Sequence, residues 1–163
     1  MRIYVGTYHK YNNGSIKGEW VDLDDYSCAE DFYEHCAEIH SDEKDPEYDF
    51  QDFDFYEDWE ETLWSSVGES VSSYYDALKT IPSHLKEDSP LLDVLIKRDF
   101  TEDYSVYDSW DTITDEFVLM CCNYDKNAFE KLRYYIDWDD VERDLDLEGD
   151  YETLSDGRVV QFY

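Results

Sequence analysis

Hydrophobic and polar residues change places with three different rhythms along this chain. Arg2 to His9 (R-I-Y-V-G-T-Y-H) and Ile16 to Leu23 (I-K-G-E-W-V-D-L) are β-rich runs joined around Asn12-Asn13-Gly14. Asn and Gly accept the positive φ of tight loops, so the pattern predicts an antiparallel hairpin. Next comes a helical rhythm. Ala29, Phe32, Cys36 and Ile39 fall on one face behind Ser27 and Glu30, which have the spacing of a capping box. Tyr48 to Phe55 (Y-D-F-Q-D-F-D-F) is strand-like, but its alternation slips between Gln51 and Asp52, as at a bulge or a strand end.

Beyond Glu57 the rhythm is helical again. Trp64, Val67, Val71, Tyr74, Tyr75 and Leu78 keep helical spacing with an interruption near Gly68, and Ile81-Pro82 ends the run. Ser89-Pro90 reads as a cap and first-turn pair before Leu91, Leu92, Val94, Leu95 and Ile96. Trp110, Ile113, Phe117 and Met120 or Cys121 predict a helix from Ser109 to Cys121. A further helix starts at Asp137, with Trp138, Val141 and Leu145 inward, and Tyr151 to Leu154 and Arg158 to Tyr163 form a hairpin across Asp156-Gly157. The predicted fold class is α+β, with two small α+β units carrying short antiparallel sheets on either side of a helical middle. The expected segments are 1–61, 62–98 and 99–163.

Charge changes what this pattern means. The chain of 163 residues has 13 Lys and Arg against 43 Asp and Glu, a formal charge of −30 and a pI near 4.1. Asp22 to Glu61 alone holds 18 acids, with Lys44 as its one Lys or Arg. A run this acidic would ordinarily stay unfolded, but it also carries Tyr26, Phe32, Tyr33, Ile39, Tyr48, Phe50, Phe53, Phe55, Tyr56 and Trp59, too much apolar surface for a disordered chain. The segment folds and stays charged. Glu30, Glu34 and Glu38 recur every fourth residue beside Asp31, and like charges at that spacing each cost a helix roughly 0.2–0.5 kcal/mol. Four helical residues rise ~6 Å, about two phosphate steps along one DNA strand. The middle, Thr62 to Arg98, has five acids and four bases, and the acid excess then returns: seven acids and no base in Asp99 to Glu116, nine acids against Arg143 in Asp137 to Glu152. Adaptation to high salt would spread acids evenly, and here they come in blocks. Direct binding to nucleic acid or an anionic membrane is excluded by the lack of cations, so the expected partner is basic.

Candidate chemistry is sparse. Asp144, Asp146, Glu148, Gly149 and Asp150 outline the start of a calcium loop, but its twelfth position is Ser155, where a bidentate acid is needed. Cys36 and His40 lie one helical turn apart without a second ligand pair, so no metal and no cofactor is expected. No nucleophile elbow, glycine-rich phosphate loop or histidine motif is present, and an enzyme is not expected. Cys28, Cys36, Cys121 and Cys122 include no C-x-x-C pair and read as reduced thiols. Without a signal-like h-region or an 18-residue apolar run, the expected location is the cytoplasm.

Three stretches resemble one family. Ile3 to Trp20 (I-Y-V-G-T-Y-H-K-Y-N-N-G-S-I-K-G-E-W), Asp45 to Phe53 (D-P-E-Y-D-F-Q-D-F) and Tyr134 to Leu145 (Y-Y-I-D-W-D-D-V-E-R-D-L) are similar to the ArdA antirestriction proteins. The resemblance implies a protein of mobile elements or phage, acting in a bacterial host cell, that mimics B-form DNA. It would occupy the DNA-binding groove of type I restriction-modification enzymes, in their specificity and methyltransferase core. It also implies an elongated, three-part molecule and a head-to-head homodimer. Such a dimer would carry 60 formal negative charges, equivalent to roughly 100 Å of duplex at about one phosphate per 1.7 Å. The carboxylates expected to stand in for phosphates are Asp22, Asp24, Asp25, Glu30, Asp31, Glu34, Glu38, Asp42, Glu43, Asp45, Glu47, Asp49, Asp52, Asp54, Glu57 and Asp58. In the last third they are Asp108, Asp111, Asp115, Glu116, Asp139, Asp140, Glu142 and Asp144. The competing readings are a mimic aimed at another defence system, such as a CRISPR effector, and an acidic chaperone for a basic protein.

Overall fold

The computed structural model describes residues 1–163 and is α+β: nine α-helices with two three-stranded antiparallel sheets. The chain divides into two compact units, Met1–Lys97 and Arg98–Tyr163.

The first unit is built on β1 (Arg2–Thr7), which pairs on one side with β2 (Glu19–Asp22) and on the other with β3 (Tyr48–Asp54). Ile3 stands opposite both Val21 and Phe53, so one sheet face is apolar across all three strands. Tyr4 pairs with Asp52 but Val5 with Phe50, leaving Gln51 as the extra residue of a bulge. This is where the sequence alternation slips. The expected tight hairpin between β1 and β2 is replaced by a short helix, α1 (Tyr8–Asn12), and an extended return. Thr7 explains the difference: its Oγ1 accepts the Lys10 N–H at 3.3 Å and starts a helix where the composition suggested continued strand. Gly14, at φ 76°, then reverses the chain.

Helix α2 (Ala29–Ile39) buries Ala29, Phe32 and Cys36 as its spacing requires. Phe32 is fully buried, with its ring 6.0 Å from Phe50 of β3, a burial that contributes about 1.5–3 kcal/mol. The N-cap is Cys28 rather than Ser27, whose hydroxyl donates to Asp31 Oδ2 at 2.9 Å. Helix α3 (Asp58–Ser66) begins with a capping box from Glu57 and Glu60. Gly68 and Glu69, both at positive φ, separate it from α4 (Val71–Thr80) near the expected break. Two more helices complete the unit, α5 (Ser83–Lys86) and α6 (Ser89–Lys97). The cap of α6 is Asp88, whose carboxylate accepts the Leu91 N–H at 3.3 Å, and not Ser89, which is already helical. These helices join the sheet core. The Trp64 ring meets Phe53 at a tilt and Tyr74 edge-on, and Tyr75 donates to the Leu23 carbonyl at 2.7 Å. The boundary expected at 61/62 falls inside α3, between the buried residues Glu60 and Leu63.

In the second unit, β4 (Tyr104–Tyr107), β6 (Val159–Phe162) and β5 (Tyr151–Thr153) lie in that order, with β5 and β6 forming the expected C-terminal hairpin. Helices α7 (Trp110–Cys121) and α9 (Trp138–Asp146) cover the sheet, and α8 (Lys126–Leu132) connects them. Ile113, Leu145 and Val159 form the core, with Trp110, Phe117, Val141 and Tyr151 packed around it. Strand β4 and helix α8 are additions to the sequence reading. Asp144 and Asp146 belong to the last turn of α9, so the calcium-like spacing is a helix end and not a loop. No helix is long and apolar enough to cross a membrane.

Candidate functional site

The candidate surface is made of carboxylates on a folded frame, and the first question is which of them the fold itself uses. On α2 the buried stripe of Phe32 and Cys36 turns Glu30, Glu34 and Glu38 outward, all exposed. Glu30, Asp31 and Glu34 form no ion pair within the chain, and Glu38 has only the His35 ring at 3.6 Å. Asp25, Asp45, Glu47, Asp52, Glu57 and Asp58 are exposed around the same unit, and Asp49 is half-buried against Gln51 Nε2 at 3.0 Å. Glu57 and Asp52 each accept a backbone N–H.

Other expected residues hold the fold together. Asp54 binds the Arg2 guanidinium at 2.7 and 2.8 Å, and Asp22 accepts the Tyr56 hydroxyl and caps a single 3-10 turn, Leu23–Asp25. Asp24 lies 3.8 Å from the Met1 ammonium, and burial raises its pKa against the pull of that ammonium. Asp42 and Glu43 surround Lys10. This buried lysine places Nζ 2.8 Å from Asp42, 3.0 Å from Glu43 and 2.9 Å from His40 Nδ1. His40 Nε2 is 3.2 Å from the Val5 carbonyl, which can only accept, so Nε2 carries the hydrogen and Nδ1 accepts from Lys10.

The electrostatics of this cluster follow from its geometry. Burial pulls the Lys10 ammonium down, but its bonds to Asp42 and Glu43 win and hold it above the ordinary lysine value. Hydrogen bonds from Lys10 and then Lys17 hold Asp42 down to about 2, and the Thr7 hydroxyl leads in lowering Glu43. His40, Asp42 and Glu43 bring ligand atoms within 4.8 Å of one another, as a metal would require. The Lys10 ammonium already supplies the positive charge among them. Lys10 and the buried Glu60, which takes the Met1 ammonium at 2.7 Å and the Tyr56 N–H at 2.6 Å, were not singled out from sequence. Nothing in local spacing marks either, because each is recognised through partners far along the chain.

In the second unit α9 turns Asp139, Asp140 and Asp144 to solvent, with Glu142 half-buried. Asp137 caps the helix by accepting the Asp140 N–H at 3.3 Å. Arg143 binds Asp140 at 2.6 Å and reaches Asp144 at 3.5 Å, so the only base of this helix neutralises part of its own face. Asp108 and Asp111 at the start of α7 are exposed, as is Glu116, and Asp115 is half-buried; none of the four forms an ion pair. Together the surfaces offer hydrogen-bond acceptors and negative charge with few donors. That suits a partner presenting Lys and Arg.

The family model described as antirestriction protein (ArdA) matches residues 3–160. No curated protein and no solved structure matches the chain. With the match spanning nearly all of its 163 residues, the chain belongs to the ArdA antirestriction protein family.

Proposed function

We propose that this protein inhibits restriction by acting as a DNA mimic, its carboxylates taking the places of backbone phosphates in the DNA-binding groove of a type I restriction-modification enzyme. Family membership implies antirestriction activity. The observation that carries the mechanism is the ladder of α2, where Glu30, Glu34 and Glu38 stay exposed and without Lys or Arg partners at a helical cost. A merely soluble helix would gain by alternating Glu with Lys. The first unit has 24 acids against 7 bases and the second 19 against 6, so both contribute to the field.

The mechanism is competitive. Carboxylates meet the Lys and Arg that hold DNA in the specificity and methyltransferase core, displace their counterions and steer encounter from a distance. The inhibitor acts in the bacterial cytoplasm as a homodimer and binds no nucleic acid itself. Fluorescence anisotropy tests the proposal: a labelled duplex bound to purified type I enzyme is titrated with the protein. Displacement of the duplex at low salt, without binding of the protein to free DNA, is expected. Retention of the duplex at saturating protein would refute the restriction target.

A further inference from the structure

The second unit contains a tyrosine-walled cavity whose rings phosphate replacement does not use. The cavity, of about 420 Å³, is walled by Tyr107 of β4, Phe117 of α7, Tyr124 of the turn after α7 and Tyr151 of β5, with Gln161 of β6 and the carboxylate of Glu116 also lining it. The lining contains an acid and no base. The Gln161 amide ties two walls together: Tyr107 Oη donates to its Oε1 at 3.1 Å, and its Nε2 donates to Tyr151 Oη at 3.0 Å. These rings are therefore fixed before anything binds. Tyr124 is 69% exposed and sits at φ 59°, a left-handed conformation unusual for an aromatic residue. The backbone presents this ring at the opening instead of burying it.

We infer that this cavity receives an arginine side chain of the basic partner, its guanidinium stacked on the tyrosine rings and paired with Glu116. The inference rests on the proposed basic partner and specifies one contact that DNA itself cannot make. Aromatic faces attract cations, and Arg fits best because its flat guanidinium can stack and hydrogen-bond at once. A neutral apolar ligand would gain nothing from Glu116. Burial, the neighbouring Tyr163 hydroxyl and the nearby Glu116 charge push the Tyr107 phenol up to about 12, so the wall remains a neutral phenol throughout the physiological range. Contacts of this kind respond less to salt than surface ion pairs do.

The probe is ethylguanidinium, with ethylurea as its neutral counterpart, titrated into the full chain and followed by ¹H–¹⁵N spectra. Saturable shifts at the amides of Leu119, Met120 and Tyr124 are expected, with ethylurea about 10-fold weaker or silent. Tyr124→Leu, which keeps apolar bulk and removes the π face, should weaken the guanidinium at least ~3-fold. Glu116→Gln should weaken it as well, and circular dichroism checks that both variants are folded. Equal midpoints for ethylurea and ethylguanidinium would overturn the inference. So would guanidinium shifts scattered over the acidic surface and unchanged in Tyr124→Leu. Failure here removes the cavity from the account while leaving displacement of DNA intact. If DNA displacement fails while ethylguanidinium still binds, the cavity stands and only the restriction enzyme is lost as the partner.

Discussion

Replacing Glu34 by Lys should make the protein more stable. Glu34 occupies the middle of the α2 ladder, one helical turn from both Glu30 and Glu38, and all three are exposed. Each like-charged pair at this spacing costs about 0.2–0.5 kcal/mol, and each Glu and Lys pair gains about the same. Two pairs change sign, so Glu34→Lys should stabilise by roughly 0.8–2 kcal/mol; helix propensity barely changes, since Glu and Lys are similar. For a chain of this size that is a rise of about 2–8 °C in the melting temperature. Thermal unfolding followed by circular dichroism at low salt measures it. Near 1 M salt the Debye length is about 3 Å, shorter than the ~6 Å step between the carboxylates, and most of the gain should vanish. An unchanged or lowered melting temperature at low salt would refute the reasoning. A gain that survives 1 M salt would show that something other than charge repulsion was relieved.

Other outcomes follow from the same structure. Phe32→Ala removes a fully buried ring that meets Tyr26, Tyr33 and Phe50, and should cost about 3–5 kcal/mol in urea unfolding; a cost below about 1 kcal/mol would contradict the assigned core. Asp42, held at about 2, and Glu43, also lowered, favour the folded state above the unfolded carboxylate range near 4, and the Asp42 contribution disappears as pH falls from about 4 to about 2. Lys10→Met should therefore be less stable than the native protein at pH 6, with the gap closing by pH 2; a gap independent of pH would mean that Lys10 acts through packing alone. Because the phosphate-like contacts are many and individually weak, single Asp→Asn changes on the first unit, such as Asp25→Asn, should leave inhibition nearly unaltered in a restriction assay. One such change abolishing it would contradict a distributed mechanism.

The fold was legible wherever information was local. The bulge at Gln51, the break near Gly68, the Asp137 cap and the C-terminal hairpin all follow from neighbouring residues, and the structure has each of them. Errors arose where a local signal competed with a second one. Thr7 turned the end of an apparent strand into the cap of α1, and Asp88 displaced Ser89 as the cap of α6 because the carboxylate one residue earlier met the same orphan N–H groups. Strand β4 has little pattern of its own, since Tyr104 and Val106 remain exposed, and its place is set by pairing with β6 more than 50 residues away.

The candidate surface was legible as composition and only partly as individual roles. Sequence shows that Glu34 lacks a basic neighbour at helical spacing, and the structure keeps it exposed. It does not show that Asp42 and Glu43 enclose Lys10, or that Asp54 binds Arg2, because those pairings cross from one element to another. Acids are so abundant that a carboxylate used to build the fold and one offered to a partner look alike until the fold is known. The tyrosine-walled cavity escaped for a similar reason: its residues come from β4, α7, β5, β6 and the turn after α7.

The central claim, carboxylates in place of phosphates, is tested most directly by the salt dependence of binding to a purified type I enzyme. Affinity should fall linearly and steeply on a log–log plot, in the manner of duplex DNA on the same enzyme, because each matched contact releases counterions; B-DNA, at about 0.9 per phosphate, sets the upper bound. The triple variant Glu30→Gln, Glu34→Gln, Glu38→Gln should flatten that slope by up to about 3. Tight binding with a slope near zero, unchanged in the triple variant, would contradict DNA mimicry.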